Sequence, residues 1–190
     1  MNTAAPPKES LRMHLDRVLF TETEIASRLD EIAAKISADF GEGPVTVIAL
    51  MHGGLFFVAD LLRRIDLPLR LECLSVASYH GDTQSSGRVT FLQNHLPKVA
   101  GENVLVVDDI LDTGRTLHAI TNRLVENGSP SSMRICVLLD KQIERAYEIE
   151  PDYSGFEIGN EFVVGYGLDY RGLYRNLPCI GVLRNEHIQS

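Results

Sequence analysis

Three carboxylates, Asp108, Asp109 and Asp112, stand within five residues at the end of an apolar run, in "VLVVDDILDTGRTL" (residues 104–117). Thr113, Gly114, Arg115 and Thr116 follow at once. Acids at the exit of a buried strand are costly unless a cation or a hydroxyl-rich partner meets them. A divalent ion or a sugar diol is therefore the partner expected for Asp108 and Asp109. Successive strand residues face opposite sides, which gives the two adjacent acids different tasks. Residues 112–116 supply free amides, two hydroxyls and a glycine where a helix begins, and such a helix start binds anions. One ligand carrying both a sugar diol and a phosphate would satisfy the whole segment. With a single acid, the same string would read as a strand, a loop and a capped helix with solvated charge. Neither a GxxxxGK[ST] loop nor a GxGxxG after a strand is present.

The elements around this segment alternate. Thr21 and Glu24 have capping-box spacing, and Ile25, Leu29, Ile32, Ala33 and Ile36 continue as a helical stripe. "GEGP" breaks the helix, and "VTVIAL" (residues 45–50) reads as a buried strand. After "MHGG", the positions of Leu55, Val58, Leu62 and Ile65 predict a second amphipathic helix. Leu69, Leu71 and Cys73 alternate with Arg70 and Glu72 as in a strand with one wet face. The polar stretch "YHGDTQSSG" (residues 79–87) reads as a mobile loop, and residues 89–91 resume a strand. "NVLVV" is the next buried strand, ending at Val107, followed by a helix over 116–127 with Gly128 as its cap. "RICVLL", "EFVVGYGL" and "CIGVL" supply the remaining strands, with a polar stretch after the first. The expected fold is α/β, a mainly parallel sheet flanked by helices, with antiparallel additions near the mobile loop.

At 190 residues the chain reads as a single domain over 1–190, with residues 1–14 as a flexible tail. A net charge of −8 disfavours bulk binding to nucleic acid or an anionic membrane surface. No apolar run is long enough to span a bilayer, and "MNTAAPPKES" lacks the pattern of a signal peptide. Cys73, Cys136 and Cys179 are far apart in apolar runs, so they read as buried thiols of a cytoplasmic protein.

The signature over 104–117 resembles the phosphoribosyl-diphosphate (PRPP) motif of type I phosphoribosyltransferases. The block "KQIERAYEIEPDYSGFEIGNEFVVGYGLDYRGLYRNLP" is similar to the purine-recognition end of the hypoxanthine–guanine members. With "GGLFFVADLL" and Ser78–Tyr79, the likeness covers roughly residues 15 to 185. It implies the type I fold, with a small hood built from the chain ends and a lid loop that includes Ser78 and Tyr79. It further implies transfer of the 5-phosphoribosyl group from PRPP to hypoxanthine or guanine, giving IMP or GMP plus pyrophosphate, with Mg²⁺. A homodimer or homotetramer is implied as well.

The resemblance carries roles to individual positions. Asp108 and Asp109 meet the ribose hydroxyls and, with Asp169, are the metal candidates. The family more often has Glu-Asp at the first two positions. Asp112 becomes the general base or acid at purine N7. The residues from Asp112 through Thr113, Gly114, Arg115 and Thr116 cradle the 5-phosphate. Lys141 donates to purine O6, Phe162 stacks on the base, and the main chain of Val163 reads its C2 edge, with Asp169 close by. His52, Gly53 and Arg175 face the diphosphate. A cis peptide is implied at Met51–His52, and relatives commonly carry Lys or Arg where this chain has His52. His14, His80, His95, His118 and His187 have no implied role. Two rival readings stay open. One is a PRPP- or nucleotide-sensing regulator that binds RNA or DNA, which the acidic balance and lack of an extra domain disfavour. The other is an enzyme of the same class with a preference for xanthine or adenine.

Overall fold

The computed structural model describes residues 11–77, 90–91 and 96–188. Ser78, Tyr79 and the rest of the expected lid lie outside the described residues. Strand β2 (Val45–Met51) is buried along nearly its whole length, as is β5 (Asn103–Leu111) up to Asp108. These two run parallel side by side at the centre of a six-stranded sheet. On one side lie β3 (Leu69–Ala77) and its antiparallel partner β4 (Thr90–Phe91). On the other lie β6 (Ser132–Lys141) and β7 (Tyr153–Ile158), both parallel. The order β4-β3-β2-β5-β6-β7 holds five parallel strands and reverses its direction of growth between β2 and β5. Such a reversal leaves a crevice at the carboxyl ends of the two strands.

Helix α1 (Glu22–Phe40) starts where its capping box said it would. Glu24 N–H donates to Thr21 Oγ1 at 3.3 Å, and Thr21 N–H donates to Glu24 Oε2 at 2.8 Å. Its buried residues Ile25, Leu29, Ile32, Ala33 and Ile36 pack on one face of the sheet, together with α2 (Leu55–Leu62). Of the stripe expected on α2, Val58 and Ile65 are buried and Leu62 packs against the core, but Leu55 is half exposed, and Phe57 and Leu61 are buried beside them. Helix α3 (Arg115–Gly128) covers the other face through Leu117, Ile120 and Leu124. Gly128 is not its cap. The helix runs through it to a left-handed Ser129, and a Cβ at 128 would come within 3.1 Å of the Ala100 amide.

A second, antiparallel sheet forms the hood. Strands β1 (Leu15–Phe20), β9 (Ile180–Leu183) and β8 (Val163–Val164) lie in the order β1-β9-β8. A short helix, α4 (Asn185–Ile188), follows β9. Several expectations need correction here. Strand β1 went unread because its middle residues are exposed and it pairs only with the far end of the chain. Strand β7 hid in a polar stretch because it is an edge strand whose six residues "YSGFEI" mix Ser, Gly and Glu with the apolar ones. "EFVVGYGL" is a strand for two residues only, since Gly165, Tyr166 and Gly167 turn with φ of 99°, 50° and 104°. Residues 11–14, expected within a tail, are packed: Leu11 is buried in the hood core, and His14 Nδ1 lies 2.8 Å from Tyr174 Oη. Cys136 and Cys179 are buried thiols as expected, whereas Cys73 is exposed on a strip of β3 left uncovered.

Candidate active site

Both chain segments that leave the central crevice line one cavity of about 780 Å³. From β2 come Met51, His52 and Gly53, and the Met51–His52 peptide is cis as the resemblance implied. From β5 come Asp108, Asp109 and residues 110–117. The strand does not end at Val107. Pairing with β2 stops at Ala49–Val107, but pairing with β6 continues through Asp108, Ile110 and Leu111. The two acids therefore stand on a strand held from one side only.

Their side chains are not divided between opposite faces, which corrects the expectation from simple alternation. Val104 and Val106 face one core and Leu105 and Val107 the other. Beyond the acids, Ile110 joins the second core and Leu111 the first. The pattern slips by one residue at the aspartates, and both carboxylates open into the same cavity. The Asp109 amide donates to Asp108 Oδ1 at 3.0 Å. Burial pushes the Asp108 carboxyl well above the usual range, and the Asp109 charge pushes it further. Burial also raises Asp109, opposed by hydrogen bonds from Asp108 and two backbone amides and by the Arg175 charge. Neither acid forms an ion pair within 4 Å among the described residues. Buried anions left in this condition call for a cation or for hydroxyl donors from a ligand.

Gly53 and Gly114 allow close approaches within the site. A Cβ on Gly53 would fall 1.7 Å from Asp109 Oδ2. Gly114 adopts φ 76° at the start of α3, and a Cβ there would lie 2.8 Å from Ile149 Cγ2. The left-handed glycine turns residues 112–116 into a cup that opens toward the helix N-terminus, where amides lack intrahelical partners.

Lys141 ends β6 beside this cup, and its Nζ donates to Asp112 Oδ2 at 3.0 Å. From the hood, Phe162, Val163, Leu168, Asp169, Tyr170 and Arg175 reach the same cavity. Phe162 is 42% exposed and meets Tyr170 edge to face at 5.4 Å between ring centres, which leaves aromatic surface open for stacking. Arg175 pairs with Asp169 at 2.6 Å and donates to Gly167 O at 2.6 Å, while the Gly172 amide donates to Asp169 Oδ2 at 2.7 Å. The structure thus gathers every predicted site residue that it describes. Tyr170, Leu168 and the packing of Ile149 on Gly114 went unread, since packing contacts leave no compositional trace.

No three carboxylate, imidazole or thiolate groups form a metal cage among the described residues. Adjacent acids with no cation partner instead suit Mg²⁺, which is commonly held by one or two carboxylates with substrate oxygens and water completing its shell.

A family model described as the phosphoribosyl transferase domain matches residues 19–171. The chain belongs to the phosphoribosyltransferase family. It is 43% identical to the hypoxanthine-guanine phosphoribosyltransferase of Staphylococcus epidermidis over 176 residues, 92% of this chain and 98% of that protein. The solved hypoxanthine phosphoribosyltransferase of Staphylococcus aureus superposes with a TM-score of 0.88 at 40% identity, covering 94% of this chain and 96% of that one. The Trypanosoma cruzi hypoxanthine phosphoribosyltransferase superposes with a TM-score of 0.85 at 37% identity, covering 93% and 95%. The fold is therefore that of the type I phosphoribosyltransferases, and the chain is a phosphoribosyltransferase enzyme of purine salvage.

Proposed function

We propose that this phosphoribosyltransferase transfers the 5-phosphoribosyl group of PRPP to N9 of hypoxanthine or guanine, releasing pyrophosphate and giving IMP or GMP. One observation carries the reading. An acid pair, a cup of residues at a helix start and an exposed aromatic ring, with a lysine, share a single cavity. A point mutant of the T. cruzi relative has been solved in complex with the product IMP.

The roles follow from placement. The cup at 112–116 holds the 5-phosphate on backbone amides and on the hydroxyls of Thr113 and Thr116. Asp108 and Asp109 accept from the ribose 2- and 3-hydroxyls. Phe162 stacks on the base and the Val163 main chain meets its C2 edge. Lys141 and Asp112, already 3.0 Å apart, match the adjacent O6 and N7 of a 6-oxopurine. Lys141 donates to O6, and Asp112 accepts or returns the N7 proton as N9 attacks the anomeric carbon. A lysine has donors only, so Lys141 offers no acceptor to the 6-amino group of adenine. His52, Gly53 and Arg175 hold the diphosphate. Arg175 reaches it by sharing the charge it now gives Asp169. Asp108 and Asp109 would hold one Mg²⁺ and Asp169 a second, and these ions when bound would neutralise charge on the departing diphosphate. Positioning and electrostatics then supply most of the acceleration.

Small-molecule substrates fit the chain better than nucleic acid, given its net charge of −8. No described helix is long and apolar enough to cross a membrane, and three cysteines that form no disulfide suit the reducing cytoplasm. Assembly as a homodimer or homotetramer belongs to the same proposal, by likeness to the family. The test is direct. Mixed with PRPP, Mg²⁺ and one base at a time, the protein should yield nucleotide and pyrophosphate with hypoxanthine and guanine and not with adenine. Absence of product with every 6-oxopurine would overturn the reading.

A further inference from the structure

Residues 142–150, between β6 and β7, lie over the phosphate cup. The Ala146 amide donates to Thr113 O at 3.1 Å. Tyr147 O and Ile149 Cγ2 sit 2.9 and 2.8 Å from where a Cβ on Gly114 would be, so the segment packs directly on the cup's backbone. The Tyr147 ring also stacks on His118 of α3 at 4.4 Å.

Arg145 holds this segment in place. Its guanidinium ion-pairs with Asp140, their side chains only 17% and 11% exposed. It also donates to Ile149 O at 2.8 Å and to Lys141 O at 3.2 Å. One planar fork therefore ties the end of β6, the main chain of Lys141 and the residue packed on Gly114. Arg145 is not among the residues that line the cavity.

We propose that Arg145 is a positioning residue for the 5-phosphate, setting the shape of residues 112–116 through the segment it clamps. This rests on the reading that the cup takes a phosphoribosyl group. The three acceptors demand a guanidinium. A lysine could keep the charge beside Asp140 but could not also reach both carbonyls. Burial raises the Asp140 carboxyl even with Arg145 beside it, so removing Arg145 alone would strand an acid.

Two full-length variants test the role, Arg145→Lys and the double variant Asp140→Asn with Arg145→Met, the second removing both charges together. Affinities for GMP and guanosine are measured by competition, beside the KM for PRPP and the thermal midpoint. Wild type should prefer GMP to guanosine. In both variants that preference should fall about tenfold and the KM for PRPP should rise by a similar factor, as expected for loss of charge-assisted hydrogen bonds. Guanosine affinity and kcat at saturating PRPP should stay within about twofold. A lower midpoint with the GMP-to-guanosine ratio unmoved would make Arg145 merely structural and overturn the proposal. A wild-type chain with no preference for GMP would instead overturn the underlying reading, and the proposal with it.

Discussion

The crevice between β2 and β5 and the hood above it build their halves of the site in different ways. The crevice is a consequence of sheet topology. Two buried parallel strands end side by side, growth reverses there, and the acids and the cup follow in continuous chain. The hood is assembled from the two ends of the chain. Leu15 pairs with Leu183, and Val163 with Val182. Its turn residues Tyr166, Arg171 and Tyr174 hold positive φ, which side chains other than glycine seldom adopt. The central sheet thus carries Asp108, Asp109 and residues 112–116, and a sheet of distant partners brings Phe162, Val163, Asp169 and Arg175 to the same cavity.

That contrast can be broken by experiment. The largest effect is expected in the frame. Asp112→Asn should lower kcat by about 10²–10⁴-fold while IMP still binds, and near-normal turnover would remove the proton-transfer role. Next comes Lys141→Ala, for which the Michaelis constants of hypoxanthine and guanine should rise about tenfold. Unchanged constants would detach Lys141 from the base.

Changes in the hood should be smaller and should register as stability. Tyr166 Oη donates to Asp60 Oδ2 at 2.6 Å, tying the hood turn to α2. Tyr166→Phe should cost about 1 kcal/mol, seen as a lower urea midpoint with kcat preserved. The smallest effect concerns pH. Burial, then the charges of His187 and Arg184, holds the His14 imidazole below its ordinary value of 6.5. The folded state therefore takes up this proton less readily than the unfolded chain does. Stability from His14 is complete above pH 6.5 and is lost as pH falls through the lowered value. With the pH dependence of intrinsic exchange divided out, amides of β1 and β9 should be less protected at about pH 5.5 than at about 7.5, and His14→Asn should flatten that difference. An equal pH response in the variant would place the titrating group elsewhere.

The same contrast explains what could be read from the chain. Asp108, Asp109, Asp112 and Thr113 were legible because one segment carries both the strand and the cup. The capping box at Thr21 and the stripe of α1 were legible because their contacts are local. The slip of register at the aspartates was not, since it depends on β6 continuing to pair after β2 has stopped. Strand β1 was missed because its partner lies at the opposite end of the chain (Leu15 with Leu183). Arg145 left no signal, because two of its three acceptors are main-chain carbonyls that every residue possesses.

The central claim is that a sugar phosphate lodges between the acid pair and the cup. A crystal soaked with GMP tests it most directly. The phosphate should lie on the amides of residues 113–116, the ribose hydroxyls on Asp108 and Asp109, and the base between Phe162 and Lys141. Nucleotide bound in another place, with Asp108 to Thr116 untouched, would contradict the account.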